Sequence, residues 1–223
     1  MSLTSREIHH IQPISRDVRN SDVDVFRPGI NENLRQSETL RTSEQQAGNG
    51  VVRRDSTFLL RDANGRLQPT EMRTQEVRTP GSEYIEEETI RRLDANGDLV
   101  LSERSVVHRS QSGGEDRSVT ETFSRNVGGM IQSSRLELTQ RVRRTTKPTT
   151  GGGSEAVEEV EERVIGSPSE PIRIVRRTIE TVRRVDGQRW ESDLQVFDLD
   201  LNGRFVLTAS EKGSSADGGA VRH

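Results

Sequence analysis

A chain of 223 residues has room for one or two domains, but 29% apolar and 31% charged residues leave little material for a thick core. The 33 basic and 36 acidic side chains nearly cancel, to a net charge of −3, which argues against a general polyanion-binding field. The absence of cysteine excludes disulfides and thiol chemistry, and no apolar run approaches the roughly 18 residues of a membrane span.

All but Lys147 and Lys212 of the basic residues are arginine. Its planar guanidinium binds carboxylates in a bidentate fashion and holds its charge at any working pH. A surface crowded with glutamate is therefore expected to be laced with Arg–carboxylate pairs.

Residues 1–50 are polar, with scattered Ile8, Ile11, Ile14, Val23, Val25, Phe26, Ile30 and Leu34 in no clear period. Met1 to Ile14 lacks the apolar stretch of a signal peptide. Pro28-Gly29 marks a turn. The segment reads as an extended or disordered N-terminal arm.

From Val51 a repeat begins. Asp62-Ala63-Asn64-Gly65-Arg66-Leu67 recurs as Asp94-Ala95-Asn96-Gly97-Asp98-Leu99 and as Asp200-Leu201-Asn202-Gly203-Arg204-Phe205. Asn126-Val127-Gly128-Gly129-Met130-Ile131 is a degenerate copy. Asn-Gly between Val-, Ile- and Thr-rich runs signals a hairpin, and a type I′ turn needs positive φ at both central residues. The turn-forming positions are thus Asn64, Gly65, Asn96, Gly97, Gly128, Gly129, Asn202 and Gly203. Gly65, Gly97 and Gly129 are spaced by 32 residues. Thr57-Phe58, Thr89-Ile90 and Thr122-Phe123 hold matching places before their turns, and an apolar residue (Leu67, Leu99, Ile131, Phe205) follows each turn glycine by two. Pro80-Gly81 and Gly113-Gly114 close the strands leading out.

Residues 146–154 read as a flexible Gly-rich insertion. It is followed by a hairpin turning near Ser167-Pro168-Ser169, with Glu155, Glu158, Glu159, Glu161 and Glu162 leading in and Arg173, Arg176, Arg177, Arg183 and Arg184 leading out. Opposite charges facing across a ladder contribute roughly 0.2–1 kcal/mol per pair. A helical hairpin over 154–185, capped by Ser154, competes locally because Val157, Val160 and Val164 also fit helical spacing. The β reading is preferred for its Val, Ile and Thr content. Trp190 to Asp200 and Arg204 to Thr208 form the last pair, and 212–223 is a small polar tail.

The expected fold is all-β: an antiparallel meander of about ten long strands, each about 12–14 residues or roughly 40–45 Å. It is built from hairpin repeats over 51–211, with the arm at 1–50 and the tail at 212–223. The Asp-Ala-Asn-Gly-Arg-Leu strings are similar to the turns of tyrosine-aspartate (Rhs-type) repeats, bacterial shell-forming β structures. The preceding Tyr is absent and the period is longer, so the resemblance covers the turns and implies no function.

Chemistry is sparse. Asp198, Asp200 and Asn202 match the first half of an EF-hand loop and form a weak calcium candidate, but Ala209 stands where the bidentate Glu belongs. His9-His10 and His108 have no spaced partner, so they read as surface histidines. There is no Gly-x-Ser-x-Gly elbow, Walker loop or Gly-x-Gly-x-x-Gly fingerprint. The Arg-rich strand 172–184 has a Glu-rich neighbour that cancels its field, and 3% aromatics give few stacking platforms for bases or sugars. No catalytic residue and no cofactor are assigned.

A thin sheet, polar on both faces, leaves its edges open as templates for another strand. The expectation is a non-enzymatic structural subunit that adds strands from copies of itself into a polymer. Its expected place is the bacterial surface or the extracellular space, with no nucleic acid and no membrane span. A monomeric binding module or adhesin is the alternative.

Overall fold

The computed structural model describes residues 5–15, 17–28, 34–47, 50–125, 135–163, 171–185 and 189–215. Among them are thirteen strands and no helix. They are β1 (Arg6–Pro13), β2 (Val18–Pro28), β3 (Leu34–Ala47), β4 (Val51–Arg61), β5 (Leu67–Arg78), β6 (Glu83–Leu93), β7 (Leu99–Ser112), β8 (Glu115–Ser124), β9 (Glu137–Pro148), β10 (Ser154–Glu162), β11 (Arg173–Arg184), β12 (Trp190–Leu199) and β13 (Phe205–Ser215). They pair in chain order as one antiparallel meander, β1 to β13. The expected class is correct, and the hairpin character of 154–185 is settled in favour of strands: β10 and β11 pair from Ser154↔Val182 to Glu162↔Arg173.

The strand count is thirteen because residues 1–50 supply β1, β2 and β3, in addition to the ten strands that begin after residue 50. The segment read as an arm is extended, and it is paired. β2 meets β3 from Val18↔Gln45 to Pro28↔Leu34, and β3 meets β4 from Glu38↔Leu60 to Ala47↔Val51. A polar network holds it. Asp24 Oδ1 accepts hydrogen bonds from Gln36 Nε2 and Thr39 Oγ1, both at 2.8 Å, and Thr39 is only 3% exposed. Strands run 8–14 residues, and β13 continues to Ser215. Residues 216–223 lie outside the described residues.

The turns depart from the two-residue type I′ form. Asp62 N donates to Arg66 O at 2.8 Å and Gly65 N donates to Asp62 O at 3.0 Å, which closes a three-residue loop, Ala63-Asn64-Gly65, with Gly65 at φ +81°. The same pattern closes Asp94–Asp98 and Asp200–Arg204, with Gly97 at +85° and Gly203 at +75°. The reason is the leading aspartate. Asp62 Oδ1 accepts from Asn64 N at 2.9 Å and Arg66 N at 2.8 Å, satisfying amides that a bare turn leaves to water. Asp94 and Asp200 repeat this. A two-residue loop with both φ positive occurs instead at Gly113-Gly114, at +60° and +82°, between β7 and β8. Gly128, Gly129 and the 167–169 turn lie outside the described residues.

The flexible insertion expected at 146–154 shrinks to a tight loop. Thr149 N donates to Gly153 O at 2.9 Å, while Ser154, Glu155 and Ala156 already pair with Pro148, Lys147 and Thr146.

A bulge recurs through the hairpins. Ser37, Thr70, Thr139, Val175 and Thr208 are each the extra residue where pairing shifts between β2 and β3, β4 and β5, β8 and β9, β10 and β11, and β12 and β13. Where that residue carries a hydroxyl, it bonds back across the strand pair: Ser37 to Val25 O, Thr70 to Phe58 O, Thr139 to Thr122 O and Thr208 to Val196 O, at 3.0–3.3 Å. Ser102 Oγ makes the equivalent bond to Ile90 O at 3.0 Å. A bulge leaves a ladder group unpaired and increases local twist, and the hydroxyl supplies a donor there.

The chain divides into two compact units, Met1–Pro80 with Glu86–Arg104, and Gly81–Ile85 with Ser105–His223. In the first, Leu59, Ile90 and Thr39 are buried; in the second, Val106, Ala156, Glu161 and Ser192 are. No large side chain among the described residues is fully buried. Each unit is a single layer of sheet, with small apolar clusters and polar rows in place of a central core.

Candidate functional site

The second unit carries its charges in columns. Register sets Arg141, Arg143 and Lys147 of β9 opposite Glu161, Glu159 and Glu155 of β10. Glu159 is opposite Arg177 of β11, Arg183 opposite Glu191 of β12, and Asp193 opposite Lys212 of β13. Side chains on one face recur every second residue, so this face alternates basic and acidic strand by strand. The expected ladder between β10 and β11 exists in Arg177–Glu159 at 2.6 Å. Glu158 and Glu161 turn to β9: Arg144 is 3.7 Å from Glu158, and Arg141 and Arg143 lie 3.1 and 2.8 Å from Glu161. Glu161, only 6% exposed, is therefore a buried carboxylate held by two guanidiniums. The Arg141-Val142-Arg143-Arg144 run was visible in the sequence, but the pairing of β9 with β10 was hidden behind the supposed insertion.

These pairs move ionisation. A hydrogen bond to Glu121 raises Arg141 above its ordinary value, and the charges of Glu121 and Glu161 add to it, against the opposing effect of burial. Asp198 is held below the carboxylate range by hydrogen bonds from Arg176, at 2.7 Å, and Thr208, at 2.9 Å. Arg141, Arg143, Arg177 and Arg183 in these columns are spent on carboxylates of neighbouring strands.

The part left unspent is the end of the ladder. Among the described residues β13 has a single strand neighbour, β12, paired from Trp190↔Ser215 to Leu199↔Phe205. Along its other edge the backbone N–H and C=O groups of alternate residues face outward without a strand partner. The three-residue loop at Leu201-Asn202-Gly203 starts β13, and the Thr208 bulge divides it. The apolar run Phe205-Val206-Leu207 is exposed, Leu207 at 54%. Arg177 lies over the Phe205 ring at 5.3 Å and shields one face of it. Lys212, also on β13, makes no ion pair among the described residues.

β1 is the other terminal strand, paired among the described residues only to β2, from Arg6↔Phe26 to Pro13↔Arg19. Its side chains are largely exposed, Ile11 at 62%. His9 lies 3.7 Å from Glu7, and His10 lies 4.0 Å from Asp24.

The residues singled out from the sequence fall as follows. Asn64, Gly65, Asn96, Gly97, Asn202 and Gly203 form loops at chain reversals. The calcium candidates are occupied by protein: Asp198 by Arg176 and Thr208, Asp200 Oδ1 by the Asn202 and Arg204 amides. Among the described residues no three His, Asp or Glu side chains converge as metal ligands, and no helix is long and apolar enough to cross a membrane. His108 is exposed on β7. The bulge hydroxyls were missed, although Thr70, Ser102 and Thr208 each stand five residues after a turn glycine. In comparison with known proteins, no protein-family model, curated protein or solved structure matches the chain.

Proposed function

We propose that the protein is a non-enzymatic structural subunit that associates by strand addition at its free sheet edges, building a polymer of its own copies at a bacterial surface or in the extracellular space. The observation that carries this reading is β13: a strand at the end of the described strand order, with Phe205, Val206 and Leu207 exposed to solvent. Long exposed edges with apolar side chains are ordinarily blunted by charge or proline. Here Val206 and Leu207 are 44% and 54% exposed, and a strand laid along the edge gains main-chain hydrogen bonds and apolar contact together. The absence of a thick core fits a molecule that gains burial from its neighbours.

Sedimentation over a range of concentrations, followed by negative-stain microscopy, tests the proposal. The chain is expected to grow into larger species with concentration. Leu207→Lys is expected to keep the β-type circular dichroism and to stop growth. A chain that stays monomeric throughout overturns the proposal.

A second reading, a binding module, draws on one feature. Tyr84, Arg109, Gln111, Arg117, Arg144 and Thr146 line a shallow concavity of about 520 Å3 in the second unit, with Arg109 stacked over Tyr84 at 5.0 Å. Aromatic, guanidinium and hydroxyl groups in one depression suit an acidic saccharide. Arg109→Ala abolishing such binding, with monomeric wild-type protein, favours this reading.

A further inference from the structure

Resting on that assembly reading, we infer that the strand added to β13 is β1 of a second copy, laid antiparallel and passing over the bulged Thr208 as β12 does, so that Glu7 faces Lys212 and Ile11 faces Leu207. The argument begins with the partner β13 already has. β12 approaches it with Asp193 opposite Lys212, Leu194 opposite Glu211 and Phe197 opposite Leu207, passing over the bulged Thr208. The pattern β13 accepts on its inner side is thus an acid, an apolar residue beside it, and a second apolar residue four positions after the acid. β1 repeats that pattern: Glu7, Ile8, then Ile11, where β12 has Asp193, Leu194, then Phe197.

Charge and exposure agree. Lys212 ends the alternating columns of the second unit as a cation with no ion pair among the described residues, and the next column should be acidic. Glu7 is exposed on an edge strand, with the His9 ring 3.7 Å away. Ile11 and Leu207, 62% and 54% exposed, are large apolar side chains stranded at opposite ends of the strand order. The register covers both and supplies the missing carboxylate. β13 against β13 is disfavoured, because the register that brings Leu207 to Leu207 leaves Lys212 without an acid opposite it. Unlike surfaces meet, so the contact is heterologous, and copies added this way propagate without closing on themselves unless the rotation returns to its start.

The test exploits the lack of native cysteine. Full-length Ile11→Cys and Leu207→Cys chains are prepared separately, mixed at associating concentration, and joined by oxidation or a short bismaleimide. The expected result is a covalent pair containing one chain of each kind, with little product from either variant alone. A second pair of variants reads the charge contact: Glu7→Lys and Lys212→Glu each weaken association of the whole chain, and the two changes in one chain restore it. Self-linking of Leu207→Cys overturns the inference in favour of β13 against β13. Wild-type chains that associate while the mixed cysteines fail to link overturn it and leave strand addition standing. Wild-type chains that never associate overturn the assembly reading on which it rests.

Discussion

Asp55, Glu71 and Asp198, together with Glu115 and Glu191, are carboxylates whose partners hold them below the ordinary range and so contribute to the acid response of the sheet. Burial pushes Asp55 up, but hydrogen bonds from Arg53 and Thr74 and the charge of Arg53 outweigh it and hold it low. Burial likewise opposes, and Arg92 and Arg73 overcome, the shift at Glu71. Asp198 is lowered chiefly by its hydrogen bond from Arg176. Each folded value lies below the unfolded one, so each group adds stability that is fully present above the ordinary carboxylate range near about pH 4 and is lost as pH falls through the depressed value. The thermal midpoint is therefore expected to be flat from neutral down to about pH 5 and to fall below about pH 4. Replacing Asp55, Glu71 and Asp198 with their amides should remove part of that fall, Glu115 and Glu191 keeping the rest, as followed by circular dichroism melts; an unchanged acid slope contradicts the assignment. Glu161→Gln tests a different cost, leaving Arg141 and Arg143 without their shared carboxylate. A loss of about 1–3 kcal/mol in denaturant unfolding is expected, because the arginines themselves reach solvent. These pairs were foreseeable in kind from the excess of arginine over lysine, but not in partner, since partners depend on which strands meet.

Turns and bulges set the hairpins. The repeated Asp-x-Asn-Gly strings marked the reversals correctly, yet they suggested a two-residue loop because Asn-Gly dominates that class. The leading aspartate decided otherwise by accepting two amides, so the loop opened to three residues. Asp94→Ala is expected to cost about 1 kcal/mol by removing both acceptor contacts, measured as a shift in the denaturant midpoint without change in slope. Gly153→Ala should be worse than Gly151→Ala, even though Gly151 has φ +98°. A Cβ on Gly153 would stand 2.1 Å from the Val182 carbonyl oxygen, whereas one on Gly151 meets nothing within 4 Å. Overpacking of backbone in this way costs about 1–3 kcal/mol. Thr70→Val should loosen the β4–β5 bulge by removing the bond to Phe58 O, read as faster amide exchange around Phe58. The bulges were illegible beforehand. Pairing offsets leave no mark in hydrophobic periodicity, and the hydroxyls at fixed distance from the turn glycines look like ordinary strand threonines.

For the whole molecule, the meander could be read because local signals repeated: reversals at regular distance, β-branched runs between them, and too little apolar bulk for a second layer. The three strands before residue 50 could not, because polar side chains stabilise them. The Asp24–Gln36–Thr39 network leaves no hydrophobic period to find. The consequence is that the segment expected to be an extended or disordered arm is largely committed to its own sheet, and of its strands only β1 lies at an end of the strand order.

Amide hydrogen exchange along Phe205–Ser215, followed as the concentration of the full chain is raised, tests the edge most directly. Alternate amides of β13 should exchange freely in dilute solution and become protected as the chains associate, while amides within β8–β11 stay unchanged. Association that leaves every β13 amide as exposed as before would show that the free edge is not where copies meet.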